Sequence, residues 1–164
     1  MLFNDKSGSM SGKPFAALQK ANLNVANVIF DKENEASEDD KFEEVHLIFF
    51  GVHPKDYIAK TKKDFVQTVQ AERASGCECF NSCHNIILEL GNRIPAGSEI
   101  YTIFMTDGQD TTNATPQLNA SQERMKAQLT QLSITKNIQS TIYTVGFSQH
   151  HDSVHLNKLC LSGS

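Results

Sequence analysis

The sequence opens with Met1-Leu2-Phe3-Asn4-Asp5-Lys6-Ser7-Gly8-Ser9, a short apolar run that leads into an aspartate and two serines at alternate positions. A second oxygen-rich group, Thr106-Asp107-Gly108, follows the apolar run Ile100 to Met105 much later in the chain. Small divalent cations such as Mg²⁺ prefer oxygen ligands, which separate loops can supply together. The two groups therefore predict a metal site, provided that the fold brings them together.

Size and composition indicate one α/β domain. The chain has 164 residues, of which 39% are hydrophobic, and a formal net charge of −4. The acidic balance disfavours a nucleic-acid binder, because such proteins usually present a basic face. No apolar run approaches the roughly 18 residues of a membrane span, and no signal peptide opens the chain. We therefore expect a single domain over residues 1–164, shortened at both ends.

The four cysteines are Cys77, Cys79, Cys83 and Cys160, and His84 adjoins the first three. A chain with an apolar core of this size does not need a disulfide scaffold, so we expect reduced thiols and an intracellular setting. Thiolate and imidazole groups also suit zinc, but the distant second ligand pair of a structural zinc site is absent. Buried or partly exposed thiols are the favoured interpretation.

Strand-like and helix-like stretches alternate along the chain. Nearly continuous apolar runs, typical of strands covered on both faces, occur at Met1–Phe3, Val45–Phe50, Ile100–Met105 and Thr141–Phe147. Apolar residues at helical spacing begin near Phe15, Phe65, Ile86, Met125 and Val154. The acidic stretch 31–44 is interpreted as a solvated loop, and 51–58 as the start of a short edge strand. The alternation predicts a Rossmann-like, doubly wound, mostly parallel sheet with helices on both faces.

In such a sheet, ligands bind at the carboxyl ends of the strands, near the point where the strand order reverses. Asp5 follows the first predicted strand, and Asp107 follows the strand Ile100–Met105. We expect those strands to be neighbours, which would bring both carboxylates to the same edge. The first helix begins just beyond Ser9, and its amino end adds partial positive charge there.

Asp5-Lys6-Ser7-Gly8-Ser9-Met10 resembles the Asp-x-Ser-x-Ser signature of von Willebrand factor type A (VWA) domains, the integrin I-domain superfamily. Thr106-Asp107-Gly108 resembles the family's second metal loop, and Thr144-Val145-Gly146-Phe147 its following strand and turn. The resemblance extends over almost the whole chain in the right order. It implies the VWA fold, whose final strand and helix this chain does not supply.

The resemblance also implies a metal-ion-dependent adhesion site (MIDAS). Asp5, Ser7 and Ser9 would be the ligands of its first loop and Asp107 the fourth ligand. In the family, the metal typically completes its coordination with a carboxylate from a partner protein. The implied function is therefore an adhesion-type, protein–protein interaction module, not an enzyme. Mg²⁺ is the expected ion, with Ca²⁺ or Mn²⁺ as alternatives.

One stretch departs from the family pattern. Gly76-Cys77-Glu78-Cys79-Phe80 matches the middle metal loop, which normally reads Gly-Gly-Thr-x-Phe, so Glu78 replaces the threonine ligand. Asp5 and Asp107 balance a divalent cation, and Glu78 would leave the site at net −1. Glu78 then either reaches the metal and takes the place of a partner's carboxylate, or faces solvent beside a degenerate or empty site.

Two other functions stay open. Asp5 followed by Ser7 is similar to the start of metal-dependent phosphoryl-transfer hydrolases, but those usually place a second aspartate at the position of Ser7, and a hydroxyl cannot do that acid–base work. A scaffold domain with a vestigial metal site is the other alternative. His150, His151 and His155 are expected to be exposed histidines of a loop.

Overall fold

The computed structural model describes residues 1–31, 42–77, 79–107, 115–147 and 153–160. The strands are β1 (Leu2–Asp5), β2 (Val45–Phe50), β3 (Lys55–Ala59), β4 (Glu99–Thr106) and β5 (Gln139–Gly146). The helices are α1 (Lys13–Ala26), α2 (Lys62–Ala71), α3 (Phe80–Arg93), α4 (Thr115–Lys136) and α5 (Ser153–Cys160). A 3₁₀ turn, Gly8–Met10, precedes α1, and a π-helical turn, Asn27–Asp31, follows it. Within these ranges, no helix has both the length and the hydropathy of a membrane span.

The five strands form one sheet in the order β3-β2-β1-β4-β5. β1 lies parallel to β2 on one side and to β4 on the other, and β5 lies parallel to β4. β3 runs antiparallel to β2 and forms an edge of the sheet, which confirms the short edge strand predicted after Gly51. The doubly wound, mostly parallel fold predicted from the sequence is confirmed.

Both faces of the central strands are covered, which explains their continuous apolar sequences. In β2, Leu47 and Phe49 face α1 and α2, whereas Ile48 and Phe50 face the other side. That other side carries α3, α4 and α5. Phe3 of β1 stacks there on Phe104 of β4, with ring centroids 4.4 Å apart. The predicted strand positions therefore hold, although the observed ends differ by one or two residues.

Local sequence signals mark the starts of two helices. Pro14 occupies the first turn of α1, where its missing N–H costs no hydrogen bond. Thr61 precedes α2, and its Oγ1 accepts a hydrogen bond of 3.1 Å from the Asp64 backbone N–H. These two helices cover the face of β1 and β2 and the Met105 end of β4, and they leave Tyr143 and Val145 of β5 on the same face exposed.

The open part of the sheet lies at its β5 edge. Tyr101, Tyr143 and Val145 are 42%, 52% and 40% exposed, whereas Phe104 and Ile142 on the opposite face are buried. In the part of the chain that the structure describes, no further strand pairs with β5. The backbone groups on the outer side of such an edge strand are open to pairing with another chain.

Candidate metal centre

Side chains from two loops meet at the carboxyl ends of β1 and β4. Asp5 is the last residue of β1, Ser7 and Ser9 lie on the turn that follows, and Asp107 comes directly after β4. The hydroxyl oxygens of Ser7 and Ser9 are 2.8 Å apart, and Ser9 Oγ donates to Asp107 Oδ1 at 3.0 Å. We call this group of four residues the metal-centre cluster.

Asp5 is fully buried, and each of its two carboxylate oxygens accepts a hydrogen bond. Oδ1 accepts from the Ser7 backbone N–H at 2.7 Å, and Oδ2 accepts from Thr106 Oγ1 at 2.7 Å. Thr106 received no role from the sequence, although a hydroxyl beside Asp107 was a visible signal. Its bond to Asp5 follows from the parallel pairing of β1 and β4, which places the ends of the two strands together.

The oxygen spacing within the cluster suits a small octahedral cation. At an Mg–O distance of about 2.1 Å, neighbouring oxygens of an octahedron are about 3.0 Å apart, whereas Ca²⁺ would separate them by about 3.3 to 3.7 Å. The contacts of 2.8 and 3.0 Å among Ser7, Ser9 and Asp107 are hydrogen bonds, and their lengths lie close to the Mg²⁺ value. The two carboxylates and two hydroxyls are the hard oxygen donors that this ion prefers.

Asp107 carries an electrostatic penalty that a cation would relieve. Burial raises the pKa of its carboxyl, and the nearby charge of Asp5 raises this pKa further. The hydrogen bond from Ser9 opposes both effects only in part. A divalent ion beside Asp107 would favour the charged form of this carboxyl.

A third loop packs against the first. The Gly8 N–H donates to the Gly76 carbonyl at 2.8 Å, and the Ser75 N–H donates to the Lys6 carbonyl at 2.5 Å. Gly76 has a φ of 83°, which favours glycine. At Gly51, a Cβ would lie 3.0 Å from the Cys77 carbonyl oxygen, so the third loop also closes over the end of β2. Glu78 lies outside the described residues, and its part in the site stays a prediction.

The cysteine-rich segment gives no support to a zinc site. The four cysteines are thiols that form no disulfide; Cys77 is exposed, and Cys83 is buried on the core face of α3. In the described ranges, no three Cys, His, Asp or Glu side chains are grouped so that they could hold a metal ion. Cys83 contributes to the apolar core instead.

The expectation of an exposed loop histidine is wrong for His155. It lies on α5, is 4% exposed, and packs on Phe80 with ring centroids 4.6 Å apart. The helix already begins at Ser153 and turns this position towards the core, which the polar residues before it do not reveal. His150 and His151 lie outside the described residues.

Comparisons with known proteins support the fold and do not identify a function. No protein-family model and no curated protein matches the sequence. Among the solved structures, a von Willebrand factor type A protein from Catenulispora acidiphila matches 98% of this chain with a TM-score of 0.69 and 16% sequence identity. The chain spans about a third (35%) of that protein. The chain therefore has the von Willebrand factor type A fold, as its sequence motifs predicted.

Proposed function

We propose that this chain is a protein-recognition module that holds Mg²⁺ at the metal-centre cluster and binds an acidic side chain of a partner protein through that ion. The observation that carries the proposal is the convergence of Ser7, Ser9 and Asp107 oxygens at 2.8 and 3.0 Å on the rim of a VWA fold. Ca²⁺ and Mn²⁺ are the alternative ions.

Each member of the cluster has a distinct role in this proposal. The Asp5 carboxylate and the Ser7 and Ser9 hydroxyls would bind the ion directly, and Asp107 would bind it directly or through a water. Asp5 would also fix the loop, because its Oδ1 accepts the Ser7 N–H. Two charges neutralise the cation and leave it able to attract a further carboxylate. The bound metal would thus supply the electrostatic attraction for an acidic partner.

The change in thermal stability on adding Mg²⁺ measures whether the ion binds, because binding to the folded state is linked to folding. A ligand that binds only the folded state stabilises it by about 2.7 kcal/mol at a hundred times its Kd. For a chain of this size, that corresponds to a rise in Tm of roughly 5 to 10 °C. We expect this rise with Mg²⁺ relative to a chelator, and its loss in Asp5→Asn. Asp64→Asn, which changes an exposed carboxylate on α2, is the matched control.

Equal Tm values with chelator and with excess Mg²⁺ would contradict the proposal and favour a scaffold with a vestigial site. The hydrolase alternative gains no support, because Ser7 stands where such enzymes usually place a second aspartate, and a hydroxyl cannot do that acid–base work. Hydrolysis of a generic phosphoester by the wild type that is lost in Asp5→Asn would support the hydrolase alternative.

Glu78 determines how the module meets its partner. If its carboxylate binds the ion, the site satisfies itself, and an acidic peptide should bind weakly. Glu78→Thr would then weaken Mg²⁺ binding and strengthen metal-dependent peptide binding, both measured by calorimetry. Equal, metal-dependent peptide binding by the wild type and by Glu78→Thr would rule out the internal ligand. Glu89→Thr is a control on α3 at a distance from the third loop in sequence.

A further inference from the structure

A partly buried cluster of acid and base lies beside the metal loops and involves none of the proposed ligands. Glu72 follows α2 directly, and its side chain is 10% exposed. Its Oε1 accepts hydrogen bonds from Lys55 Nζ at 3.0 Å and from Tyr57 OH at 2.9 Å. Its Oε2 lies 3.9 Å from Lys6 Nζ. Glu72 therefore joins strand β3 to the first metal loop.

Within this cluster, Lys6 is the residue nearest in sequence to the proposed metal ligands. It lies between Asp5 and Ser7 in the sequence, and its side chain is only 12% exposed. A cation withdrawn from water to this extent needs a counter-charge. Glu72 supplies it in this structure, and Asp5 is the carboxylate nearest to Lys6 in the sequence. An ammonium group that turned towards Asp5 would compete with Mg²⁺ for the same oxygens.

Glu72 is well suited to hold the Lys6 ammonium. Burial opposes ionisation of its carboxyl, but the hydrogen bonds from Lys55 and Tyr57 outweigh that effect and keep its pKa below the usual value. The Lys6 backbone is fixed as well, because its carbonyl accepts a hydrogen bond from the Ser75 N–H, close to Glu72 in the sequence. The carboxylate is thus ionised and fixed in place before any metal binds.

We propose that Glu72 is a positioning residue that holds the Lys6 ammonium away from Asp5 and Asp107 and so keeps their oxygens open to a divalent cation. This inference rests on the proposed function, because it concerns the same metal-centre cluster. It adds a residue that contributes no ligand and that neither the metal motifs nor the family resemblance indicates.

The test is a double-mutant cycle with Mg²⁺ affinity as the readout. Glu72→Gln keeps the size of the side chain and an oxygen for Lys55 and Tyr57, but it removes the charge that faces Lys6. Loss of a unit charge roughly 10 Å from a divalent ion, in surroundings closer to water than to a protein interior, should by itself raise the Kd by about three- to tenfold. Release of the Lys6 ammonium towards Asp5 should raise the Kd beyond that range. In the Lys6→Met background, only the effect of the lost charge should remain. Calorimetric titration with MgCl₂ measures all four proteins.

Glu99→Gln is the matched control. Glu99 also accepts a hydrogen bond from a tyrosine hydroxyl, Tyr101 OH at 2.6 Å, but it lies at the start of β4, at the opposite end of the sheet from Asp107. Circular dichroism and urea unfolding report whether each variant is folded. Lys6→Met alone gives a second test that does not depend on the folding of Glu72→Gln. Its Kd should fall by no more than about tenfold, the effect of removing one distant positive charge, because Glu72 already holds the ammonium away from the site.

Several outcomes would overturn the inference, and they differ from a failure of the proposed function. If the wild type binds Mg²⁺ but Glu72→Gln binds it equally well, the positioning role is wrong and the metal site stands. An equal loss of affinity in both Lys6 backgrounds would reduce Glu72 to a structural residue. A gain of more than tenfold in Lys6→Met would show that Glu72 does not shield Lys6. If the wild type binds no Mg²⁺, both proposals fail together.

Discussion

Replacing Asp107 by asparagine should stabilise the metal-free protein and, at the same time, abolish its response to Mg²⁺. Asp107 is 7% exposed, its pKa is raised by burial and by the charge of Asp5, and Ser9 is its hydrogen-bond donor in the cluster. Asparagine keeps an oxygen that can accept the bond from Ser9. The substitution therefore removes a charge and preserves the shape of the site.

The expected magnitude follows from the repulsion between the two carboxylates. Like charges roughly 6 Å apart, at an effective dielectric constant of 20 to 40, repel each other by about 1 to 3 kcal/mol. We expect a gain near the lower end, about 1 kcal/mol, because Asp107 keeps some contact with solvent. Such a gain corresponds to a rise in Tm of roughly 2 to 4 °C without metal. With saturating Mg²⁺, the order should reverse, since only the wild type gains from the ion.

The pH dependence supplies a second readout. The folded-state pKa of Asp107 lies above its ordinary value of 3.8, so the folded protein binds more protons than the unfolded chain in the interval between the two values. The stability of the metal-free wild type should therefore fall as pH rises through that interval, relative to Asp107→Asn. The stabilisation by Mg²⁺ should grow over the same interval, because the ion needs the ionised carboxylate.

Urea unfolding with chelator and with Mg²⁺, at several pH values, measures these quantities. A metal-free Asp107→Asn protein that is less stable than the wild type would contradict the electrostatic reasoning. An undiminished response of this variant to Mg²⁺ would show that Asp107 does not bind the ion. These are independent failures, since the first concerns repulsion in the cluster and the second concerns ligation.

Two further predictions test the scaffold. The pKa of His46 is raised above 6.5 chiefly by its hydrogen bond to Asp56 and also by Glu44, so its stabilising charge is present below about pH 6.5 and is lost as pH rises through the raised value. The stability advantage of the wild type over His46→Gln in urea unfolding should therefore shrink from pH 6 to pH 9, and a constant difference would refute this. Phe104→Ala removes a fully buried ring that packs on two other phenylalanines and should cost about 3 to 5 kcal/mol, whereas Tyr143→Ala, at a half-exposed position, should cost much less in the same assay.

The sequence predicts the fold well because the composition of the central strands shows that both of their faces are buried. Val45–Phe50 is apolar at successive positions, which only burial on both faces explains, and the structure covers both faces. The end of β1 is harder to predict. Asn4 is polar and buried, and its Oδ1 accepts a hydrogen bond of 2.6 Å from Asn22 Nδ2 on α1. A polar side chain satisfied by a distant partner looks like a loop residue in a local pattern.

The candidate site likewise contains residues that the sequence predicts and residues that it does not. The sequence predicts that Asp5, Ser7, Ser9 and Asp107 lie together, because their spacing is local and the strand order follows general rules for α/β sheets, and the structure brings them together. The residues that support them are not predicted, because each acts across a long separation in the sequence. Thr106 donates to Asp5 from 101 positions away, and Glu72 meets Lys6 from the far end of α2. Tertiary pairing alone creates these contacts, so no periodicity reveals them.

The topology explains where variation in function can arise. β1 is the central strand, and the loops that follow it and β4 form the rim at which the chain places Asp5 and Asp107. Both carboxylates are anchored to the ends of buried parallel strands, so this part of the site is fixed by the core. The third loop, in contrast, is joined to the first by backbone hydrogen bonds at Gly8 and Gly76, and its Cys77 side chain is exposed. This loop is also where the sequence departs from the family pattern. In the proposed function, a change of charge at Glu78 would change the charge of the site without touching the strands that hold Asp5 and Asp107.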